Sequence, residues 1–313
     1  MRILLTGATG FLGQELGQFL TSKGHELVAL VRRLPDNKSE LPFPCTWIPA
    51  DLEKNSQDKW IQFLQQTSVD AVIHLAGETI NQRWSSSAKK RILESRTLTT
   101  ERLLQSLKFA KKAPSVFLCA SAIGFYGDRK DEILTEESSA GSGFLSEVCQ
   151  QWEKSALSFS KDPFFEHTRW VQARLGVILA KHGGAFPVMI KPFLLKVGAP
   201  LGFHNPWMSW LHLQDFLRAT LFCLENQKIQ GPINFVSPDP VQQNDFAKTL
   251  CRSLGTLCLP NVPSKVLEIL LGERSQLILA SQRVQPKVLK DHGFQWDHAN
   301  STNTLQELAK SFR

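Results

Sequence analysis

The stretch Thr6-Gly7-Ala8-Thr9-Gly10-Phe11-Leu12-Gly13 constrains this chain more than any other. It follows an apolar run, Arg2–Thr6, that barely alternates, as a strand buried on both faces requires. It precedes an amphipathic segment, 11–23, that reads as a helix and stops at Gly24, where a left-handed residue is wanted. Gly7 permits a tight turn, Gly10 lets a pyrophosphate approach the backbone, and Gly13 lets the helix pack close to the sheet. The helix N-terminus then presents free N–H groups and a positive dipole end to an anion. A merely structural turn is the plain alternative. Agreement of strand, glycines, helix and terminal glycine favours a dinucleotide site, with Thr9, Phe11 and Leu12 in the loop beside the glycines.

Short apolar runs then alternate with longer amphipathic ones, the pattern of a parallel sheet with crossover helices. Strands are expected at Glu26–Val31, 71–76, 115–120 and 173–179. Helices are expected at Asp58–Gln66, 87–111 and 145–158, with a polar loop at 34–44. The expected class is α/β: a Rossmann-type doubly wound parallel sheet over residues 1–182. After Gly183-Gly184 proline and tryptophan become frequent and connections lengthen. Helices at Leu213–Glu225, 244–254 and Ser264–Leu271 mark a smaller, mixed C-terminal substrate lobe over 183–313. Parts of 205–240 are expected to return to the Rossmann sheet.

The second strand ends in Val31-Arg32-Arg33. A site for NAD would place an acid there to bind the ribose 2′-hydroxyl. Two arginines suit a 2′-phosphate instead, so NADP(H) is the expected cofactor; solvated surface arginines are the alternative. Asp51 and Leu52 fall where adenine is contacted, and Leu75-Ala76-Gly77 leaves the strand that borders the cofactor.

The proton-handling group is harder to find. Short-chain reductases use a serine with a Tyr-xxx-Lys pair on the next helix, the lysine lowering the tyrosine pKa. Here the register of 145–158 puts Leu145 and Cys149 at those places. The single tyrosine, Tyr126, stands four residues before Lys130, but in a loop. Candidates are Ser121 at a strand end, Tyr126, and Glu78 with Asn81 after the fourth strand. Each has a plain alternative: local backbone satisfaction, packing, and helix capping. Downstream, His212 reads as a core histidine or a substrate contact, and Asp215 as a first-turn or N-cap residue. Trp207, Trp210 and Phe203 read as core or as pocket walls.

The net charge of +7 is spread along the chain without a dense run or interleaved aromatics, so nucleic-acid binding is not expected. No apolar run reaches the about 18–20 residues of a membrane span, no metal-ligand spacing appears, and the six cysteines are scattered. A strand from the second residue leaves no room for a signal peptide. The expected compartment is the cytoplasm, or an organelle stroma or matrix after loss of a transit peptide. The expected partner is a small-molecule substrate.

Taken together, TGATGFLG at 6–13, HLAGETI at 74–80, RWSSSAKKRILESR at 83–96, SAIGFYG at 121–127, WMSWLHLQD at 207–215 and LGERSQLILASQRVQPKVLKDHGF at 271–294 resemble one group. This is the atypical short-chain dehydrogenase/reductases called epimerase family proteins. The resemblance implies NADP(H) held by the glycine loop, Arg32, Leu75-Ala76 and Arg96, with Ile178 near the nicotinamide. From its position on a long helix Arg96 reads as surface. Two functions stay open: an oxidoreductase or nucleotide-sugar epimerase-like enzyme on a small carbonyl or hydroxyl substrate, with its pocket between the sheet edge and the 183–313 lobe, and a non-catalytic NADP(H)-binding regulator or scaffold, some members carrying a cell- or plastid-division label.

Overall fold

The computed structural model describes residues 1–34, 43–54 and 58–312. In chain order the elements are β1 (Arg2–Thr6), α1 (Phe11–Ser22), β2 (Glu26–Val31), β3 (Thr46–Pro49), α2 (Asp58–Gln66), β4 (Ala71–His74), α3 (Ser86–Leu107) and β5 (Val116–Ala122). There follow β6 (Ile133–Leu134), α4 (Phe144–Leu157), β7 (Arg169–Leu175), β8 (Val177–Leu179), α5 (Phe186–Leu194), β9 (Trp207–Met208), β10 (Trp210–His212) and α6 (Leu213–Glu225). The remainder is β11 (Gly231–Phe235), β12 (Val241–Gln242), α7 (Gln243–Leu254), α8 (Ser264–Leu271), α9 (Gln276–Leu279), β13 (Arg283–Val284), α10 (Lys287–Asp291) and α11 (Ser301–Lys310).

Seven strands form one sheet in the order β11-β7-β5-β4-β1-β2-β3, and β3, β2, β1, β4 and β5 pair in parallel. This is the Rossmann-like α/β arrangement read from the sequence. From β1 the chain winds outward through β2 and β3, then returns to the other side of β1 with β4. Its topological switch point is therefore the β1–β4 crevice, where such sheets bind ligands at their carboxyl ends.

By internal contacts the chain forms two units: Met1–Ser121, Val148–Ala173 and Thr220–Pro232 in the first, and Ala122–Glu147, Arg174–Ala219 and Ile233–Arg313 in the second. In the first, β1 contributes Ile3, Leu4 and Leu5, and β4 Val72 and Ile73, all with no exposure. That is why neither strand alternates: both faces are covered. In the second, Phe186, Ile190, Trp210, Phe246, Leu250 and Leu305 form one core cluster.

Several expected boundaries move. The run 173–179 is two strands, β7 and β8, broken at Gly176. A Cβ there would lie 2.8 Å from both Ser209 O and Val236 Cγ1, so the chain passes too close to its neighbours to continue straight. β8 pairs instead with β10 in a separate two-stranded sheet. The long helix starts at Ser86, with the Ser85 side chain capping Ala88 N–H at 3.2 Å, and ends at Leu107 instead of 111. β4 stops at His74 instead of 76, and β5 runs 116–122 instead of 115–120. Strand β3 follows the expected 34–44 loop unannounced; positions 35–42 of that loop lie outside the described residues.

Candidate nucleotide site

Gly7 to Gly13 form the turn from β1 into α1, and the three glycines have different reasons to be glycine. Gly7 has φ +74°, and a Cβ on it would sit 2.9 Å from Leu75 C and 3.0 Å from Ala76 N, across the crevice. A Cβ on Gly13 would lie 2.1 Å from Gly7 O, so only glycine lets α1 close against its own turn. Gly10 differs. It is the N-cap of α1 at φ −79°, ψ 166°, ordinary for any residue, and a Cβ there would meet only Gly7 O at 3.3 Å. Among the described residues glycine is therefore far less constrained at 10 than at 7 or 13. No described side chain caps α1 and its first turn carries no acid, so no acidic side chain in that turn offsets the positive end of the helix dipole.

β2 ends at buried Val31, and Arg32 and Arg33 follow it exposed; neither guanidinium bonds to a described residue. The neighbouring loop is fixed by Ala50 N–H to Val31 O at 2.9 Å and by Asp51, whose Oδ1 accepts from Glu53 and Lys54 N–H at 3.1 and 3.2 Å. Leu52 is buried, and its carbonyl accepts from Arg102 Nη1 at 2.6 Å. Arg102, unnoticed in the sequence, thus ties α3 to this loop.

A buried polar chain lies beneath the crevice. Thr100 Oγ1 is 2.6 Å from Arg96 O and 3.1 Å from Trp152 Nε1, and His74 Nε2 is 3.0 Å from it. The hydroxyl must donate to the carbonyl and accept from the indole, so His74 Nε2 carries the ring proton and donates to Thr100. His74 Nδ1 then accepts from Thr6 Oγ1 at 2.6 Å, and Thr6 Oγ1 accepts Ala76 N–H at 3.3 Å. Burial, then the Arg96 charge, push the His74 pKa down to about 3. A neutral imidazole therefore links β1, β4 and α3 and fixes the Leu75–Gly77 exit.

Arg96, reached through the resemblance alone, is no surface residue. Its guanidinium sits against Gly77, where a Cβ would come within 3.1 Å of Cζ, and 5.1 Å from the Trp152 ring centroid. Nη1 bonds Ile92 O at 2.9 Å, no carboxylate of the described residues lies in ion-pair range, and burial lowers its pKa. Glu78 N–H is held by Ser95 Oγ at 2.9 Å, and its Oε1 accepts from Gln82 at 3.2 Å; Asn81 is exposed beside it.

Ser121 ends this side of β5, almost fully buried, and donates to Glu153 Oε1 at 2.7 Å. Glu153 is itself buried, one helical turn beyond Cys149 on α4. Sequence reading missed it, although an acid at a core-facing register of α4 was the available signal.

The other expected residues lie in the second unit. Tyr126 has no exposure; its hydroxyl donates to Asn234 Oδ1 at 2.7 Å and accepts from Arg174 Nη1 at 3.0 Å, and burial raises its pKa. Ile178 is buried in β8. His212 stacks on His298 with centroids 3.7 Å apart, and burial, then His298, push its pKa down to about 4. Asp215, in the first turn of α6 and with no exposure, accepts the N–H groups of Asp297 and His298, each at 2.9 Å. It is a clamp on the segment before α11. Trp210 is core, Trp207 is half-buried and Phe203 is 66% exposed.

Two family models match: the NAD dependent epimerase/dehydratase family over residues 3–147, and a domain of unknown function, DUF1731, over 262–308. The chain is 34% identical to the chloroplastic epimerase family protein SDR39U1 homolog of Arabidopsis thaliana, covering 98% of this chain and 86% of that one. It is 34% identical to an epimerase family protein of Mycobacterium leprae over 97% of this chain and 93% of that one. The crystal structure of human epimerase family protein SDR39U1 (isoform 2) with NADPH superposes with a TM-score of 0.85 at 29% identity, covering 99% of both chains. With its glycine turn, its sheet order, an NAD dependent epimerase/dehydratase match over residues 3–147 and the second model at its C-terminal end, the chain belongs to the epimerase family proteins.

Proposed function

We propose that the chain binds NADP(H) at the β1–α1 turn and acts as an oxidoreductase or epimerase-like enzyme on a small carbonyl or hydroxyl compound. The observation that carries the cofactor reading is Gly10. The fold itself explains Gly7 and Gly13, whereas at Gly10 a Cβ would meet only Gly7 O, at 3.3 Å, among the described residues, and close approach of a ligand to the helix N-terminus is the use we assign to the missing side chain. The NADPH in the human relative's crystal structure supports the same reading. Arg32, exposed past the end of β2 and paired with no acid among the described residues, would take the 2′-phosphate, with Arg33 near it. Asp51 and Leu52 would border adenine. Leu75, Ala76 and Gly77, fixed by the His74 chain, would wall the crevice over Arg96.

When bound, this cofactor supplies or accepts a hydride. Proton handling falls to the chain, which lacks the Tyr-xxx-Lys pair on α4, its one such spacing, Tyr126 and Lys130, lying outside that helix. Ser121, held by Glu153, is the group we assign to the substrate oxygen: its lone pairs can accept a hydrogen bond from a substrate hydroxyl, and as that proton moves to Ser121 Oγ the serine's own proton passes to the Glu153 carboxylate. Tyr126, enclosed between Asn234 and Arg174, orders its own loop. Glu78 is assigned to holding the 75–82 turn.

A second reading rests on Leu145 and Cys149, which offer neither a phenol nor a cation on α4. In it the chain is an NADP(H)-binding regulator that acts through a protein partner. Titration with NADPH and NADH, followed by fluorescence in wild type and Arg32→Ala, tests the cofactor reading. Expected is NADPH binding at least tenfold tighter, about 1.4 kcal/mol, and loss of that margin in the variant. Equal binding of the two cofactors would overturn it. Turnover of NADPH with any member of a carbonyl or sugar-nucleotide panel separates the enzyme from the regulator.

A further inference from the structure

Arg283 begins β13, where it pairs with Ile133 of β6. Gln282 N–H donates to Trp207 O and Trp207 N–H to Ser281 Oγ, both at 3.0 Å, so the Arg283 and Trp207 backbones run side by side. The Arg283 guanidinium lies over the Trp207 indole, with Cζ 4.5 Å from the ring centroid. The indole is in turn oriented by Nε1–H donating to Asp131 Oδ1 at 2.8 Å.

What is unusual is how little the chain does with this cation. Arg283 Nε is wholly buried and meets no acceptor. Among the described residues no carboxylate lies within ion-pair distance of the side chain and none of its N–H groups makes a hydrogen bond; the stacking on Trp207 is its only side-chain interaction. A buried charged donor without an acceptor destabilises a fold, and such groups call for an explanation. Stacking alone does not require arginine's five donors. A planar guanidinium held over an aromatic ring, with Nη1 and Nη2 not enclosed and bonded to no described residue, is shaped for two oxygens of a carboxylate or phosphate.

We propose that Arg283, held on Trp207, receives the carboxylate or phosphate group of a small anionic ligand. Asp131 is the carboxylate that faces the pair, and its bond to the indole occupies one of its oxygens. The proposal goes beyond the cofactor reading and does not depend on it.

The test uses the full chain without cofactor, labelled with 15N. The indole N–H signal of Trp207, identified by its loss in Trp207→Phe, is followed during titration with sodium phosphate and, separately, sodium acetate. Sodium chloride holds the ionic strength constant. Expected is a saturable shift with at least one anion and a midpoint at least tenfold weaker in Arg283→Ala. Arg283→Lys, which keeps the charge and the stem, weakens it as well. Response to phosphate alone or acetate alone identifies the group that binds. No saturable shift with either anion, or equal midpoints in wild type and both Arg283 variants, overturns the proposal. Either negative leaves NADP(H) binding in the first unit untouched.

Discussion

Two neighbouring glycines should behave oppositely when each is changed to alanine. In Gly13→Ala the new methyl would stand 2.1 Å from Gly7 O and 2.8 Å from Ala8 Cα, against the 3.4 Å at which ordinary contact begins. Both obstacles are backbone, so no side chain can move aside. Overpacking that side chains can absorb costs about 1–3 kcal/mol. Here the turn itself must shift, so about 3 kcal/mol or more is expected, a fall of roughly 5 °C or more in Tm for a chain of this size. In Gly10→Ala the backbone is already ordinary and the one contact, at 3.3 Å, needs a shift of a few tenths of an ångström. Exchanging glycine for alanine at an N-cap costs about 0.5–1 kcal/mol, and the stiffer unfolded chain returns about 0.4–1 kcal/mol. Stability should therefore hold within about 1 kcal/mol while NADPH affinity drops at least tenfold. Thermal melts and NADPH fluorescence titrations of both variants provide the measurements. A Gly13→Ala protein that melts with wild type, or a Gly10→Ala protein that binds NADPH as tightly as wild type, would refute the reasoning.

Other consequences are equally direct. Asp215→Ala strips the acceptor from two backbone N–H groups and from Arg218, and should cost about 2–4 kcal/mol in urea unfolding; Asp215→Asn, which keeps one acceptor, should cost less. His74 is held neutral with its pKa pushed down to about 3, so the unfolded chain binds the extra proton below pH 6.5. Its contribution is fully present above that pH and is lost as pH falls from 6.5 toward 3, at up to about 1.4 kcal/mol per unit. His74→Gln should flatten that slope, and an unchanged slope would contradict the reading of His74 as a buried neutral imidazole. If a carbonyl substrate is found, Ser121→Ala should lower kcat at least tenfold with the KM for NADPH unchanged, and a normal kcat would remove Ser121 from the chemistry.

The glycine turn, the first two strands and the crossover helices were legible because their signals are local: apolar runs, 3.6-residue periodicity and a glycine cap. β3 was not, since Thr-Trp-Ile-Pro is four residues long and follows a polar loop. The break at Gly176 depends on Ser209 and Val236, far along the chain, and no local pattern records that approach. The same limit applied to the site. Thr9 to Gly13 and Arg32 could be proposed from local pattern alone, whereas the surroundings of Arg96 come from Gly77 and Trp152, and those of Ser121 from a carboxylate on the next helix. His74 sat inside a buried strand in full view; its role appears only when the protons of two threonines and an indole are accounted for together.

The two contact-defined units alternate along the chain, so that β5, α4, β7, α6 and β11 each change unit partway through. A ribosome therefore never delivers either unit in one piece. When residue 173 has been made, the first unit still lacks Thr220–Pro232, and the second holds only Ala122–Glu147. Each must remain unfinished until late in synthesis, and no single cut yields a self-contained half.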